Sequence, residues 1–532
     1  MKKVLLGLTA VLALTVAHGQ IMFQETIDGG SYDFGASILQ TSNGHYIIGG
    51  NTYVSSNNPD AYLVKINSNG NLLWTKTYGG TDNDYVSFVQ QTSDGGYIIA
   101  GITLSFGAGN YDLYLIKTNS SGNISWQRTY GGTEQENLLF NSVRQTNDGG
   151  YVIAGYTKSF GAGNFDVYLI KTKTNGDTLW TKTYGGINDD VASTALQTTD
   201  GGYIIVGKTV SFGIGIDIYL IKTDSNGNLL WNKTLGGIGQ DEGYDIQSTP
   251  DGGYIITAQT HSFGAGGSDI CIIKIDSNGN ALWTKTYGGT GFEQGYTSLQ
   301  TGDGGYIISA RTESFSSSPD FYLIKTDSAW VPMWSKTYGG TKFDEGTFIQ
   351  KTNDGGYIIT GGSNSFGLGT TDIYLVKTDS NGNTGCNEGN PTTISTSPTV
   401  ITSSPSPIVS SGGIVGNPTM QTGSGGLVTT LCSTFVAINE ITSKTSFYIS
   451  PNPCSAQTTL HSDHLLHNAT LTVDNCFGQM VAQIKNISGQ TVIFSRDNLA
   501  SGLYFIRLTE ENPDDNGAGK TIAVEKLIIT DK

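Results

Sequence analysis

Short runs of apolar residues alternate with polar, turn-forming segments along most of the chain, and this pattern repeats. One copy contains four such runs, which are Tyr85–Thr92, Tyr97–Thr103, Asp112–Thr118 and Ile124–Tyr130. Runs of this length, separated by segments rich in glycine and asparagine, predict β-strands joined by tight hairpins. A unit of about 52 residues occurs seven times between residues 23 and 383. Four strands in each unit predict one blade of a β-propeller, so the expected fold class is all-β.

The two ends of the repeat region predict how the propeller closes. Six units carry a tryptophan in their fourth strand, at Trp74, Trp126, Trp180, Trp231, Trp283 and Trp334. The seventh unit loses the pattern after Asn383 without this strand, whereas Phe23–Gly29 aligns without a gap on Trp74–Gly80. We therefore predict a seven-bladed β-propeller over residues 20–383, in which the N-terminal strand completes the last blade.

Four polar positions recur in every unit. An acid follows the Gly-Gly corner at Asp33, Asp84, Glu136, Asp190, Asp241, Glu293 and Asp344. A glutamine lies near the end of the first strand at Gln40, Gln91, Gln145, Gln197, Gln247, Gln300 and Gln350. An aspartate opens the third strand at Asp60, Asp112, Asp166, Asp217, Asp269, Asp320 and Asp372. A lysine ends that strand at Lys65, Lys117, Lys171, Lys222, Lys274, Lys325 and Lys377.

These recurring positions have two interpretations. In the structural one, a Lys–carboxylate–Gln network in each blade satisfies the polar groups that lie between blades. In the functional one, the seven acids share one face of the propeller with the phenylalanines of the Ser-Phe-Gly loops, such as Phe106 and Phe160. An acidic ring with aromatic neighbours could hold a cation, a basic peptide or a sugar. The seven acids are therefore the candidate ligand-binding residues.

The overall composition narrows the range of functions. The chain has a formal charge of −16 and 73 glycines. A negative surface disfavours nucleic acids and anionic membranes as partners. The sequence contains no G-x-S-x-G elbow, no Walker loop and no zinc-type Cys/His cluster. No carboxylate pair stands out from the repeat as a glycosidase pair would, so we expect no catalytic residue, no metal site and no cofactor.

The first 19 residues predict export. Two lysines after Met1 precede an apolar run from Val4 to Ala17, and small residues at Ala17 and Gly19 precede Gln20. This pattern is typical of a secretory signal peptide that covers residues 1–19. The apolar run is short for a bilayer span, so we expect a mature chain without membrane insertion.

Five cysteines follow in this exported chain. An oxidising compartment permits two disulfides, Cys386–Cys432 and Cys454–Cys476, although the sequence does not fix the pairing. Cys271 lies in an apolar strand, where we expect a buried free thiol.

The composition changes twice after residue 383. Residues 384–435 are rich in Ser, Thr, Pro and Gly and predict a linker that acts as a spacer, or a tethered loop if Cys386 pairs with Cys432. The last domain, residues 436–532, contains alternating runs at Ala469–Asp474, Thr491–Phe494, Gly502–Leu508 and Ala523–Thr530. These runs predict a small β-sandwich.

Both regions resemble known families. Asp200–Gly207, Asp217–Lys222 and Gly227–Trp231 match the repeat of bacterial SBBP-like β-propeller proteins, a resemblance that implies a fold and leaves the ligand open. The last domain resembles the type A C-terminal sorting domain of the type IX secretion system of Bacteroidota. The matching residues of the sorting motif are Tyr448, Pro451, Asn452, Pro453, Gly478, Gly502 and Tyr504.

The second resemblance implies that the chain meets the type IX secretion machinery and a sortase, and that it is secreted or attached to the outer cell surface. With no catalytic group apparent, we expect a noncatalytic binding, adhesion or scaffold role with an unknown extracellular ligand, either a glycan or a peptide. The alternative is an extracellular hydrolase that acts on polysaccharide at the propeller channel. An asymmetric cleft with two carboxylates and flanking aromatic side chains would favour the enzyme, and a uniform rim would favour the binder.

Overall fold

The computed structural model of the protein describes residues 20–53, 58–139, 141–368, 370–403, 405–406, 408–410, 414–416, 421–423, 427–435, 447–475, 480–496, 499–510 and 520–530. The predicted signal peptide lies outside these residues. Regular secondary structure within them consists of β-strands. None of the described segments forms a helix of the length and hydropathy needed to cross a membrane. The chain divides into two compact units, Met1–Val436 and Ala437–Lys532, and this division lies one residue beyond the boundary predicted from the sequence.

The first unit begins with β1 (Ile21–Asp28) and continues with seven antiparallel sheets. Sheet 1 contains β2 (Asp33–Gln40), β3 (Tyr46–Thr52), β4 (Asp60–Ile66) and β5 (Leu72–Gly79). Sheet 2 contains β6 (Asp84–Gln91), β7 (Tyr97–Thr103), β8 (Asp112–Thr118) and β9 (Ile124–Gly131). Sheet 3 contains β10 (Glu136–Asn137), β11 (Val143–Gln145), β12 (Tyr151–Thr157), β13 (Asp166–Thr172) and β14 (Thr178–Gly185).

The remaining sheets of the repeat region follow the same order. Sheet 4 contains β15 (Asp190–Gln197), β16 (Tyr203–Thr209), β17 (Asp217–Thr223) and β18 (Leu229–Gly236). Sheet 5 contains β19 (Asp241–Ser248), β20 (Tyr254–Thr260), β21 (Asp269–Ile275) and β22 (Ala281–Gly288). Sheet 6 contains β23 (Glu293–Gln300), β24 (Tyr306–Thr312), β25 (Asp320–Thr326) and β26 (Pro332–Tyr338). Sheet 7 contains β27 (Asp344–Lys351), β28 (Tyr357–Ser363) and β29 (Asp372–Thr378), and it includes β1.

The middle strands of each sheet are almost entirely buried because neighbouring sheets cover both of their faces. Every residue of β7 and β8 is buried, and these strands are rich in isoleucine and leucine. In the fourth strand, such as β9, the first residues are exposed or half-buried and only the last three are buried. β-Branched and aromatic side chains fit such pleated, covered surfaces. The apolar cores therefore lie between sheets, as the seven similar repeats predict.

The N-terminal strand pairs with the end of the repeat region. β1 runs antiparallel to β29, with Phe23 opposite Lys377 and Ile27 opposite Ile373. In addition, β2 of sheet 1 packs against β27 and β28 of sheet 7. Sheets 1 and 7 are thus neighbours in space although they are farthest apart in the repeat region.

The segment predicted to be a spacer is instead part of the first unit, which corrects the predicted linker. It contributes seven strands, which are β30 (Glu388–Gly389), β31 (Ile394–Thr396), β32 (Ile401–Ser403), β33 (Ile408–Ser410), β34 (Ile414–Gly416), β35 (Gln421–Gly423) and β36 (Leu427–Phe435). These pair in order with the fourth strands of sheets 6, 5, 4, 3, 2 and 1, and finally with β1. Each sheet thereby gains one more strand, the fifth in six sheets and the sixth in sheet 3, on an edge that would otherwise present unpaired backbone groups. We call residues 384–435 the edge belt.

The second unit contains β37 (Phe447–Ser450), β38 (Gln457–Asn475), β39 (Met480–Ser495), β40 (Gly502–Glu510) and β41 (Lys520–Ile529). Hydrogen bonds join all five strands in one sheet. Leu460, Leu471, Ile506 and Leu527 are among the buried residues of its core. The register of the β38–β39 pair shifts several times, first between His461 and Leu466. The predicted division into the two sheets of a sandwich is not confirmed by this hydrogen-bond pattern.

Candidate ligand-binding site among the first strands of the sheets

The seven recurring acids are buried, and none is more than 1% exposed. Asp84 accepts hydrogen bonds from the Gly80 amide at 2.8 Å and from the Ser105 hydroxyl at 2.7 Å. The corner amide donates to the acid in the same way in the other sheets, from Gly29 to Asp33, Gly132 to Glu136, Gly186 to Asp190, Gly237 to Asp241, Gly289 to Glu293 and Gly340 to Asp344. The acids therefore fix the corners, and this burial favours their structural interpretation over a ring exposed to ligand.

The aspartate that opens each third strand lies beside the acid of the next unit. A Cβ atom on Gly131 would meet Oδ1 of Asp112 at 1.6 Å and Oε2 of Glu136 at 2.4 Å, so only glycine fits this corner. Burial, and the nearby charge of Glu136, raise the pKa of Asp112 to about 6. Two carboxyl groups thus share this corner, and Asp112 has a raised affinity for protons.

The recurring lysines pair with an aspartate that the sequence interpretation did not single out, namely the one in the Asp-Gly-Gly turn. Lys117 lies 2.9 Å from Asp94 and also donates to the carbonyl of Thr118. The equivalent pairs are Lys171–Asp148, Lys222–Asp200, Lys274–Asp251, Lys325–Asp303 and Lys377–Asp354. Lys65 differs and donates to the hydroxyl of Tyr97.

Among the recurring glutamines, Gln40, Gln145, Gln197 and Gln350 link neighbouring sheets, whereas Gln91 and Gln247 donate within their own sheets. The side-chain carbonyl of Gln145 accepts the amide of Ser93 in sheet 2, and that of Gln197 accepts the amide of Asn147 in sheet 3. Gln40 of sheet 1 accepts the amide of Asn353 of sheet 7 at 2.8 Å. The expected Lys–carboxylate–Gln network is therefore replaced by two separate kinds of contact, lysine–aspartate pairs within sheets 2 to 7 and glutamine contacts between several of the sheets.

Sheet 3 departs from the repeat where its first strand should be. This strand is divided into β10 and β11, and the stretch from Glu136 to Gln145 is longer than the equivalent stretch from Asp84 to Gln91. Asn141 takes a left-handed backbone conformation, with φ of 59°. Arg144 precedes the recurring glutamine of sheet 3, at the position where the other first strands carry the uncharged residues Leu39, Gln90, Leu196, Ile246, Leu299 and Ile349.

A cavity of about 350 Å³ lies among the first strands of six of the seven sheets. Arg144, Phe88, Phe348, Thr297, Gln90 and Gln247 are among its lining residues. The centroids of the Phe88 and Phe348 rings are 5.5 Å apart in an edge-to-face arrangement. The guanidinium carbon of Arg144 lies 4.9 Å from the centroid of the Phe88 ring, a cation–π distance. Within the described part of the chain, no carboxylate lies within ion-pair distance of Arg144 and its side chain donates no hydrogen bond.

Asp245 is the buried counter-charge of this region. Its carboxylate accepts hydrogen bonds from Gln247 at 2.9 Å, from Asn141 at 3.4 Å and from the hydroxyl of Thr297. Burial raises the pKa of Asp245, and the positive charge of Arg144 opposes this shift. Burial also lowers the pKa of Arg144. The arrangement can offer guanidinium and amide donors to a ligand with oxygen acceptors, next to an aromatic wall.

The cysteines are only partly as expected. Cys386 and Cys432, at the two ends of the edge belt, form a disulfide. Cys271 is a buried free thiol whose pKa is raised by burial. Cys454 is also a buried free thiol, and its expected partner Cys476 lies outside the described part of the chain. Cys454 instead packs in the core of the second unit with residues such as Leu460 and Ile529.

The sorting-motif residues lie at the strand ends of the second unit. Tyr448 is exposed and stacks on His461, with ring centroids 4.6 Å apart. Pro451, Asn452 and Pro453 are exposed, and the side-chain carbonyl of Asn452 accepts the amide of Ile528 at 2.8 Å. Gly502 is exposed and Tyr504 is buried, with its hydroxyl donating to the carbonyl of Ala500. Gly478 lies outside the described residues.

Comparisons with known proteins agree with both regions of the chain. Residues 448–529 match the family model of the secretion system C-terminal sorting domain. Residues 41–72 match a β-propeller family described as a domain of unknown function. No curated protein is significantly similar to the chain.

Two solved structures from B. thetaiotaomicron show a low level of similarity. One is the extracellular domain of a putative one component system, with 10% identity and a TM-score of 0.36, covering 95% of this chain and 57% of that chain. The other is the extracellular domain of a putative hybrid two component system, with 9% identity and a TM-score of 0.35, covering 96% of this chain and 59% of that chain. The chain thus spans less than two thirds of the length of either protein, and scores at this level do not establish a common fold. On the family matches, the chain carries β-propeller repeats followed by a sorting domain of the type IX secretion system, which marks it for the outer cell surface or the extracellular medium.

Proposed function

We propose that the protein is a noncatalytic binding protein, secreted or held at the cell surface, whose ligand site is the cavity beside Arg144. The ligand would be an extracellular glycan or peptide that carries a carboxylate. The observation that supports this most directly is the guanidinium of Arg144, which lines a cavity and has no ion-pair partner within the described residues. An unpaired guanidinium in a cavity is a site for a planar anion.

We further propose that the seven sheets are the blades of one closed propeller and that the cavity belongs to its central channel. Three observations support this ring. β1 pairs with β29, although these are the first and last strands of the repeat region in sequence. β2 packs against β27 and β28, and the first strands of six different sheets line a single cavity. A ring closed by pairing of its first and last repeat strands leaves no open end to the array.

The chemistry of the cavity suits an acidic ligand in spite of the negative charge of the chain. The carboxylate of Asp245 is already engaged by Gln247, Asn141 and Thr297, whereas the guanidinium of Arg144 lines the cavity as a donor. The amide groups of Gln90 and Gln247 can hydrogen-bond neighbouring hydroxyl or peptide groups, and the two phenylalanines supply an apolar surface. The guanidinium of Arg144 and these amide groups would fix the orientation of a ligand, and neither kind of group is a nucleophile or a general acid.

The carboxylates that break the repeat support a noncatalytic role. Glu242 lies 3.0 Å from Lys208 and accepts the hydroxyl of Tyr244. Glu345 accepts the hydroxyl of Tyr296 and lies 3.8 Å from Arg311. A glycosidase needs one carboxyl group free to donate a proton and a second free to act as base or nucleophile. Both of these carboxylates are already engaged with cations and hydroxyl groups, which disfavours the hydrolase alternative.

The test is binding of the full chain to arrays of acidic and neutral glycans and of peptides, followed by titration of the best acidic probe. Arg144→Gln should weaken binding of that probe by at least about tenfold, because a charge-assisted hydrogen-bond pair is lost. Arg128→Gln is the matched control, since Arg128 forms its ion pair with Asp177 in the partly exposed fourth strand. Equal binding by the Arg144 variant, or turnover of a glycan by the unaltered chain, would reject the proposal.

A further inference from the structure

One turn of the repeat region carries an aromatic residue where six others carry glycine. The turn between the third and fourth strands has glycine in a left-handed conformation at Gly70, Gly122, Gly176, Gly227, Gly279 and Gly382. In sheet 6 the equivalent residue is Trp330, with φ of 63°. A bulky side chain is rarely found in this backbone region, and such residues cluster at functional sites. In other turns the carbonyl of this glycine accepts a hydrogen bond from a tyrosine hydroxyl of the neighbouring sheet. Trp330 keeps this contact, because its carbonyl accepts the hydroxyl of Tyr287 at 2.8 Å.

The side chain of Trp330 builds an aromatic cluster between sheets 5 and 6. Its ring stacks on Tyr306 with centroids 3.8 Å apart and an interplanar angle of 19°. Trp283 packs against it at 5.4 Å with an angle of 57°. At the equivalent place between sheets 4 and 5, the turn glycine lies directly on a tryptophan, since a Cβ on Gly279 would lie 2.6 Å from Trp231. Between sheets 5 and 6, the close contact of a turn glycine with a tryptophan is therefore replaced by three neighbouring aromatic rings.

These rings line a cavity of about 430 Å³ that also contains charged side chains. Asp251, Lys274 and Lys285 form part of its wall. Asp251 and Lys274 are 2.8 Å apart, and the aspartate side chain is 60% exposed, so the cavity opens to solvent. Hydrogen bonds and charge from Lys274 lower the pKa of Asp251, which stays ionised as a hydrogen-bond acceptor. The volume lies within the roughly 300–1,000 Å³ range of small-ligand sites.

We propose that this aromatic cavity is a second binding site, independent of the Arg144 cavity, and that it holds a neutral sugar ring of an extracellular glycan. Aromatic rings cover the apolar C–H face of a sugar, while a paired carboxylate and ammonium group offer both an acceptor and donors to its hydroxyl groups. Asp251 and Lys274 balance each other's charge, and the ammonium group of Lys285 adds a further donor for sugar hydroxyl groups.

The test uses the full chain and four soluble polysaccharides: starch, xylan and galactomannan as neutral probes and hyaluronan as an acidic one. Binding is measured by affinity gel electrophoresis and by the change in tryptophan fluorescence. Trp330→Gly restores the residue of the six other turns, and because Trp330 is a buried core residue, an unfolding curve of this variant is recorded beside its binding. Trp330→Gly should weaken binding of the neutral polysaccharide that the unaltered chain binds by at least tenfold. Arg144→Gln should leave the binding of that polysaccharide unchanged.

A second pair of variants separates binding from folding. Lys285→Ala should weaken binding several-fold, whereas Lys233→Ala, at the same position of sheet 4, should have no effect. If none of the three neutral polysaccharides binds the unaltered chain, or if Trp330→Gly and Lys285→Ala both bind as the unaltered chain does, the second site is overturned. Loss of acidic-probe binding in Arg144→Gln concerns only the function proposed above and would not decide this outcome.

Discussion

The hydroxyl of Tyr374 donates a 2.6 Å hydrogen bond to the side-chain carbonyl of Gln24, although 350 residues separate them. The amide group of the same glutamine donates to the hydroxyl of Thr384 at 2.8 Å and to the carbonyl of Cys386 at 2.6 Å. Gln24 is fully buried. One side chain therefore ties together the first strand, the last repeat strand and the start of the edge belt.

Replacing Gln24 with alanine should destabilise the first unit strongly. The hydroxyl of Tyr374 would then lose a buried partner, and leaving such a group unsatisfied costs about 1–3 kcal/mol. Chemical denaturation followed by tryptophan fluorescence measures this change. Gln20→Ala is the control, because Gln20 is less buried and donates to the single carbonyl of Asp354. Equal effects of the two variants would show that Gln24 has no special role in joining these segments.

The disulfide of the edge belt should be a major source of stability. Cys386 and Cys432 are 46 residues apart, and cross-linking a loop of that size stabilises a protein by about 4 kcal/mol in the chain-entropy model. A chain with both residues changed to serine should unfold at lower denaturant concentration. Reductant should lower the stability of the unaltered chain to the same level and leave the double variant unchanged. A response of the double variant to reductant would assign the effect to another cysteine.

The pH dependence of stability should contain a component from the aspartates that open the third strands. Burial raises the pKa of Asp112, Asp166 and Asp320 to about 6, above the ordinary value of 3.8. Folding therefore favours their protonated forms. Their contribution is fully present below about pH 4 and is lost as the pH rises through about 6.

The triple variant Asp112→Asn, Asp166→Asn and Asp320→Asn isolates this component. Asparagine keeps the shape of the side chain but does not ionise, so the loss of stability between pH 4 and pH 7 should be smaller than in the unaltered chain. Denaturation curves at pH 4, 5, 6 and 7 provide the measurement. An unchanged pH profile in the triple variant would contradict the assignment.

The aspartates of the Asp-Gly-Gly turns act in the opposite direction, since Lys117 and local hydrogen bonds lower the pKa of Asp94 to about 2. An Asp94→Asn variant should therefore lose stability at pH 7.

The sequence predicted the repeat strands well because their apolar runs and glycine turns are physical requirements of packed hairpins. It did not predict the edge belt, whose strands other than β36 are two or three residues long and carry no core-facing period. A weak signal was present in the spacing of Ile394, Ile401 and Ile408, each of which begins a belt strand. Packing against a preformed edge, rather than local propensity, determines such short strands.

The candidate site was missed from the sequence for a related reason. The seven acids attracted interest because they recur, but whether an acid near a corner points into the protein or into solvent depends on tertiary packing. Arg144 and Trp330 are single departures from the repeat, and a comparison of the seven units at the level of segment length and turn residue would have shown both. In a symmetric array, structural roles repeat and a binding site breaks the symmetry.

Removing the edge belt should turn the first unit into an aggregating protein. A chain that ends at residue 383 keeps all the repeat strands but loses β30–β36, so the fourth strands of six sheets and β1 become open edges. Exposed edges pair with those of other molecules. A chain that ends at residue 436 keeps the belt and its disulfide and serves as the control. Light scattering and size-exclusion chromatography should show association of the shorter chain and a single monomeric species for the longer one. A monomeric, equally stable short chain would demonstrate that the belt is dispensable and that the spacer predicted from its composition is the better description.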